Sequence, residues 1–271
     1  MVSKMSATLK EIMAELGALA PAQLAESWDN VGLQLGHHEW PVHRIMVALD
    51  PTIKVVEEAA QQRVDLVVSH HPLFFKALRA IDCATPAGAV IEWLFAKRIG
   101  LVTAHTNLDS ARGGVNDALA ETLGLRDTIP LQPAEGAAGC GLGRIGRLDR
   151  RLSLAALAHE IKARLQVSHL RLAGLPQLEV SKVAICSGSG ASLMDAFFAS
   201  GAEAFITGDV RYHDAREIEA RQRGLIDIGH FESEHLVLQR LAEQLRTRLA
   251  AEGKAMEVIV AQTEETPFRT I

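Results

Sequence analysis

The sequence predicts an α/β protein of two related lobes, each a mixed sheet flanked by helices. Three observations carry this. Short β-branched apolar runs alternate with amphipathic stretches of helical spacing, the signature of βαβ units with parallel pairing. The alternation occurs twice along the chain. Histidines stand directly after several of the apolar runs, where parallel strands present their carboxyl ends and reactive groups gather.

Taken in order, residues 1–20 carry Glu11 and Glu15 within an apolar pattern and read as an amphipathic helix, not a signal peptide. Trp28-Asp29-Asn30 reads as a helix-to-strand turn, with Trp28 in the core; the alternative is a residue lining a site. Residues 45–50 (IMVALD) form a strand closed by Pro51, and 55–62 a helix. Residues 64–69 (VDLVVS) are a second strand, ending at His70; 86–97 are a helix; 101–104 (LVTA) are a third strand, ending before His105. A helix follows at 115–122. Residues 132–146, rich in Gly and Ala, form a linker or hairpin, and 152–165 a helix. The second copy reads strand 183–186, helix 191–199, strand 204–207 and strand 225–228, which ends beside Gly229 and His230. Leu236, Leu238, Leu241, Leu245 and Leu249 give a helix over 233–249 with one face on the core, and 256–261 is the last strand.

A shift of 138 lays residues 45–71 on 183–209 without a gap, strand on strand and Asp65 on Glu203. A shift of 125 lays His105 on His230 and Asp109 on Glu234, each pair a His-x-x-x-acid after an apolar strand. The change of shift requires an insertion between the segments. This is a weak internal duplication. It divides the chain into a lobe of 1–125 completed by 230–271 and a lobe of 126–229, with both copies turned toward a shared site between the lobes.

Composition excludes other classes. With 271 residues and 48% apolar content, the chain buries roughly 70–75% of its unfolded surface without a staple. The net charge of −5 gives no global attraction to DNA or RNA, so a nucleic-acid partner is not expected. Cys83, Cys140 and Cys186 form no CxxC, which points to a reducing cytoplasm and away from disulfides or a thiolate zinc site. No apolar run reaches 18 residues, so no membrane span is expected.

The chemistry concentrates at three strand ends. In Ser69-His70-His71-Pro72 the neighbouring imidazoles diverge on extended backbone, so each can meet a different cation; the bland reading is a polar strand end. In the segment 105–109, His105 and Asp109 add an imidazole and a hard anionic ligand; the alternative for Asp109 is helix capping. In the segment 229–234, His230 and Glu234 share a helix face and Glu234 can bridge two ions; the alternative is a first-turn glutamate favoured by the helix dipole. Glu232 and His235 fall off that face and read as solvated. Together the three segments hold enough ligands for two metals with open positions. Ser187-Gly188-Ser189-Gly190 reads as a tight turn, with phosphate capture by its amides as the alternative. Arg144, Arg147, Arg150 and Arg151 read as a solvated basic face.

The motifs ESWDNVGLQLG (26–36), SHHP (69–72), HTNLD (105–109), TGD (207–209) and GHFESE (229–234) resemble the Nif-three-like family, catalogued as GTP cyclohydrolase I type 2 homologues. The resemblance runs in order over nearly the whole chain. It implies two metal ions, with His70 and Asp109 on one, His71 and His230 on the other, and Glu234 bridging; independently of the resemblance, histidine with carboxylate suits the divalent ions Zn, Fe, Mn or Ni. His105 then stands beside the site, and Glu234 and His105 are the expected catalytic residues. It also implies a hexameric ring, a trimer of dimers. GHFESE stands where members often show GHHATE-like runs, which keeps the His230–Glu234 spacing and changes the neighbourhood of Phe231. Two cations roughly 3.5–4 Å apart make a bridging water hydroxide-like near neutral pH. The expected activity is therefore hydrolysis of a small substrate, nucleotides among the candidates. The alternative is a ring-shaped binding or adaptor protein with structural or regulatory metals.

Overall fold

The structure is a computed structural model that describes residues 6–254 and 256–269. The expected N-terminal helix lies partly outside the described residues, at 1–5. The chain separates into two compact units, one of residues up to Leu108 with those from Leu238 onward, the other Asp109–Val237.

The first unit begins with β1 (Ala7–Thr8), α1 (Leu9–Leu19), β2 (Gly32–Leu35), β3 (Pro41–Val42), β4 (Arg44–Ala48), α2 (Ile53–Gln61), β5 (Leu66–Ser69), α3 (Pro86–Lys97) and β6 (Gly100–Thr103). The unit boundary falls inside α4 (Thr106–Ser110). The second unit holds α5 (Val115–Thr122), β7 (Arg126–Pro133), β8 (Gly141–Ser153), α6 (Leu154–Leu165), β9 (Arg171–Ala173), β10 (Glu179–Ser189), α7 (Met194–Ser200), β11 (Ala204–Gly208), α8 (Tyr212–Ala220), β12 (Gly224–Asp227) and α9 (His230–Glu234). The chain returns to the first unit with α10 (Val237–Ala251) and β13 (Glu257–Val260).

The first unit's sheet has the order β13-β4-β5-β6-β2. Its first four strands run parallel and β2 closes the edge antiparallel. Every residue of β5 and β6 is buried, as parallel strands covered on both faces require. Met46, Val67 and Leu101 meet Val55, Val56 and Ala59 of α2 and Val90, Ile91 and Leu94 of α3. Thr85 caps α3, accepting from the Gly88 amide at 3.1 Å, and Pro86 opens it, its fixed φ suited to the first helical position.

The second unit's sheet has the order β7-β8-β10-β11-β12-β9, parallel through β10-β11-β12 and antiparallel at both flanks. Leu154, Leu157 and Ile161 of α6 cover one apolar cluster with Val183, Ile185 and Ile206; Phe197 of α7 and Ile218 of α8 cover another with Phe205.

The two sheets share a strand register. Ile45 pairs with Leu66 and Val183 with Ala204, and 183 − 45 and 204 − 66 both equal 138. Leu66 pairs with Gly100 and Ala204 with Gly224, so the third strand repeats at 224 − 100 = 124. That is one residue off the shift of 125 that aligns His105 with His230. The connection absorbs the difference: His105 follows Thr103 by two positions, whereas His230 follows Asp227 by three.

Several expectations change. The boundaries fall at 108/109 and 237/238 rather than 125/126 and 229/230, because α5 packs on β8 and β10 and α9 on β10 and β11. By contrast the segment 132–146, expected as a linker or hairpin, is the β7–β8 hairpin, closed by an Ala134 amide to Cys140 carbonyl bond of 2.9 Å. The helix expected over 233–249 is interrupted between α9 and α10. Arg144 is no solvated cation: it is 2% exposed, paired with Asp117, and donates to the carbonyls of Gly141 (2.7 Å) and Gly143 (2.8 Å). Among the described residues, no helix is long and apolar enough to cross a membrane.

Candidate metal centre

The first unit assembles three imidazoles. The β4–β5 register continues past β5, with the His70 amide donating to Ala48 O (2.9 Å) and the His71 amide to Leu49 O (2.8 Å). Both histidines lie in a bend just past the strand, and their rings do not diverge as expected but stand 5.0 Å apart by centroid. The Ser69 hydroxyl fixes the bend by donating to His71 O at 2.7 Å. His105 stands just past β6. One ligand atom from each of His70, His71 and His105 lies within 4.8 Å of the other two, and His70 is fully buried.

Each ring is held from its Nδ1 side. His70 Nδ1 meets Ala104 O at 3.0 Å, His71 Nδ1 meets Asp50 Oδ1 at 2.8 Å, and His105 Nδ1 meets Asp29 Oδ1 at 2.9 Å. An oxygen acceptor at Nδ1 selects the tautomer that leaves the Nε2 lone pair for a cation. Burial works against ionisation of Asp29, but bonds from His105 and Thr106 prevail and hold its pKa down at about 2. Asp50 is seated in turn: the Glu264 carboxylate accepts from the amides of Leu49 (2.9 Å) and Asp50 (2.8 Å).

The second unit supplies two buried carboxylates and the fourth imidazole. An oxygen of Asp109 lies within 4.8 Å of one of Glu234. Asn116 braces Asp109 by donating to its carbonyl (3.1 Å) while accepting from the Ser187 amide (2.9 Å). His230 and Glu234, four residues apart on α9, meet at 3.0 Å from Nε2 to Oε2. His230 Nδ1 contacts Asp209 Oδ2 at 2.7 Å, the same arrangement as in the first unit. Burial opposes the charge on His230, yet Glu234 and Asp209 outweigh it and raise its pKa to about 9. Gly188 makes room: a Cβ there lies 2.2 Å from Glu234 Oε1, and its φ of +58° suits glycine. Cys186 is buried, and burial together with Asp109 and Glu234 pushes its thiol pKa up, so it offers no thiolate.

The bland alternatives fit less well. Gly114, not Asp109, caps α5, and Glu234 ends α9 rather than opening it. Trp28 is outside the core, 58% exposed, with its ring 6.0 Å from that of His105. His235 is half-buried and stacks on Phe231 with ring centroids 4.6 Å apart. Residues 187–189 are not a tight turn but the irregular end of β10, where Ser189 pairs with Gly208 after a register shift, and the amides nearby are engaged: Ser187 with Asn116, Gly188 with Ser233 (2.8 Å) and Gly190 with Thr207 (2.9 Å).

The sequence reading gives no role to Asp50 or Asp209, and names Asp29 only within the Trp28-Asp29-Asn30 motif as an alternative that lines the site. Asp29 and Asp209 lie within motifs quoted above, and Asp50 ends a strand, so a histidine partner at Nδ1 was the signal available. As a donor set, imidazole nitrogens and carboxylate oxygens without thiolate fit a borderline or hard divalent cation.

A family model described as Duf34/NIF3 (NGG1p interacting factor 3) matches residues 7–267. A Clostridium perfringens protein named GTP cyclohydrolase 1 type 2 homolog is 35% identical over 263 residues, covering 97% of this chain and 99% of the relative. A Streptomyces coelicolor protein of the same name is 37% identical over 265 residues, covering 96% and 93%. Among solved structures, a Staphylococcus aureus protein superposes with a TM-score of 0.92 at 28% identity, over 98% of this chain and 99% of that one. A Bacillus cereus protein related to NIF3 gives a TM-score of 0.92 at 25% identity, with the same coverage.

Proposed function

Because the chain belongs to the Duf34/NIF3 family, we propose that it is a dinuclear divalent-metal protein acting as a hydrolase on a small substrate, nucleotides among the candidates. His70 and Asp109 hold one ion, His71 and His230 the other, and Glu234 serves both. The observation that carries this reading is the repeated Nδ1 contact. Four imidazoles each meet an oxygen acceptor, at 3.0, 2.8, 2.9 and 2.7 Å for His70, His71, His105 and His230. What sets the first three of these apart from an exposed histidine such as His169, whose Nδ1 meets the neighbouring Ser168 hydroxyl, is that each partner orients a ring whose ligand atom lies within 4.8 Å of those of the other two histidines.

When bound, the ions supply Lewis acidity and lower the pKa of a coordinated water. The side chains do the rest. Asp50, Asp209 and the Ala104 carbonyl keep protons on Nδ1 and direct Nε2 lone pairs. Asp29 holds His105 through Nδ1 at 2.9 Å, which leaves Nε2 as the atom that takes up a proton and releases it to a leaving group. Ion identity (Zn, Fe, Mn or Ni) follows availability in the cell.

Elemental analysis of protein purified without chelator tests this, followed by a screen of phosphoester, nucleotide and amide substrates. About two divalent ions per chain and turnover abolished in Glu234→Gln support the reading; absence of bound divalent ion overturns it. The interaction partner in the family's description favours a second reading, an adaptor with structural or regulatory metals. Partner binding indifferent to chelation, without turnover, selects that one. A hexameric ring built as a trimer of dimers belongs to the same proposal and is tested by light scattering. Placement in the cytoplasm is proposed too, supported by free Cys83, Cys140 and Cys186.

A further inference from the structure

We propose that Trp28 and Phe75 form a stacking platform for the planar ring of a nucleotide-class ligand, beside the histidines of the first unit. This rests on the reading above that His70, His71 and His105 serve a reaction centre. Trp28 is 58% and Phe75 50% exposed. Scattered exposed aromatics are ordinary, but three features set this pair apart.

The rings are continuous with the imidazole group. Trp28 and Phe75 lie 6.2 Å apart by centroid, and each faces His105, at 6.0 and 5.7 Å, in edge-on geometry. A ring stacked here lies beside the His105 imidazole.

The segments that carry them are pinned from below. Asn30 Nδ2 donates to Phe74 O at 2.7 Å, and Gln34 Nε2 donates to Asn30 O at 2.8 Å. The Asp29 carboxylate accepts from the Thr106 amide at 3.0 Å, and Thr106 Oγ1 accepts from the Glu26 amide at 2.9 Å. Both aromatic residues therefore sit on backbone that is already ordered, and little entropy is lost when a ligand binds.

The geometry and charge select the ligand. The rings are tilted by 41°, and 6.2 Å is less than the roughly 7 Å needed to admit a ring between two others. A planar ring thus lies on the open face of Trp28 with Phe75 at its edge, the offset and edge-on contacts that aromatic rings prefer. The segment after Phe75 carries exposed Lys76 and Arg79 with no acid before Asp82, which suits a ring bearing an anionic group. Leu78 and Ile81 are exposed on that same segment, so contact between copies of the chain is the competing occupant.

The experiment titrates the full chain, as purified, with guanosine and adenosine monophosphates and with ribose 5-phosphate by calorimetry. Wild type, Trp28→Ala, Trp28→Phe and Phe75→Ala are compared, with particle mass, thermal melting and metal content measured on the same samples. The nucleotides are expected to bind about tenfold or more tightly than ribose 5-phosphate. Trp28→Ala is expected to weaken them by about tenfold, while Trp28→Phe retains most of the affinity and metal content holds. No nucleotide binding by wild type, affinity indifferent to both alanine variants, or a change of particle mass in place of affinity overturns the platform. A chain without divalent ions that still binds nucleotides through Trp28 sinks the metal reading and leaves the platform standing.

Discussion

At the scale of single residues, the candidate centre depends on side chains that touch no cation. Asp50 aims His71 at 2.8 Å, and Glu264 holds Asp50 through its amide at 2.8 Å. Asp50→Asn keeps the shape but loses the charge that favours the Nδ1 proton, and removing such a partner weakens metal affinity by roughly 10–100-fold. Chelator competition is expected to show that loss. Glu264→Gln is expected to lose less, and to add nothing in the Asp50→Asn background, because it acts through Asp50; additive losses contradict this chain of contacts. Gly188→Ala places a methyl 2.2 Å from Glu234 Oε1 at a φ of +58°, so beyond the ~1–2 kcal/mol of a left-handed alanine it displaces a proposed ligand. Lower metal content and a lower Tm together are the expected result; an unchanged metal content counts against Glu234 as ligand. The histidines themselves were readable, since their types and strand-end positions are local facts. Their aspartate partners were not, because Asp29 reaches His105 and Asp209 reaches His230 only after distant segments pack.

Among the elements, those with strong local punctuation match their sequence reading. The helix expected at 86–97 begins at a Thr85 cap and Pro86, and ends at Arg98 in left-handed conformation, so both ends are written in the chain. α8 escaped notice because Ile218 is its sole buried residue among the described ones, too little to make a periodic pattern. The N-terminal helix offers a pH test. Thr8 and Glu11 form a capping box at the start of α1, and Lys254 bonds the same carboxylate at 2.9 Å. The Lys254 bond, then the Thr8 amide and hydroxyl, lower the Glu11 pKa from 4.5 to about 2. A carboxylate whose pKa is depressed in the folded state adds stability above its unfolded value, and that stability is lost as pH falls through the folded one. Glu11→Gln is therefore expected to lower Tm at pH 7. The gap to wild type should narrow from about pH 4.5 downward and close near pH 2. A gap that stays constant over that range assigns the effect to packing instead.

For the whole molecule, the repeated strand triplet explains why the chemistry collects where it does. β4-β5-β6 and β10-β11-β12 run parallel in one register, and each ends in the segments that carry the proposed ligands. The duplication was legible because apolar strands keep their spacing. The unit boundaries were not, since which sheet α5 covers is a tertiary fact. The proposed ligand set includes His71 of the first unit and Glu234 of the second. Ligands that bind only the folded state stabilise it by mass action, ~2.7 kcal/mol at a hundredfold excess over Kd. For a chain of this size that is a rise in Tm of roughly 5–10 °C when a divalent cation is added to chelated protein. If one ligand set serves both ions, His71→Ala and Glu234→Gln should each remove most of the increment, although the two residues belong to different units. If each unit holds metal on its own, each variant should lose only a part, and the double variant the sum. Melting curves of the four proteins with and without added cation separate the two cases.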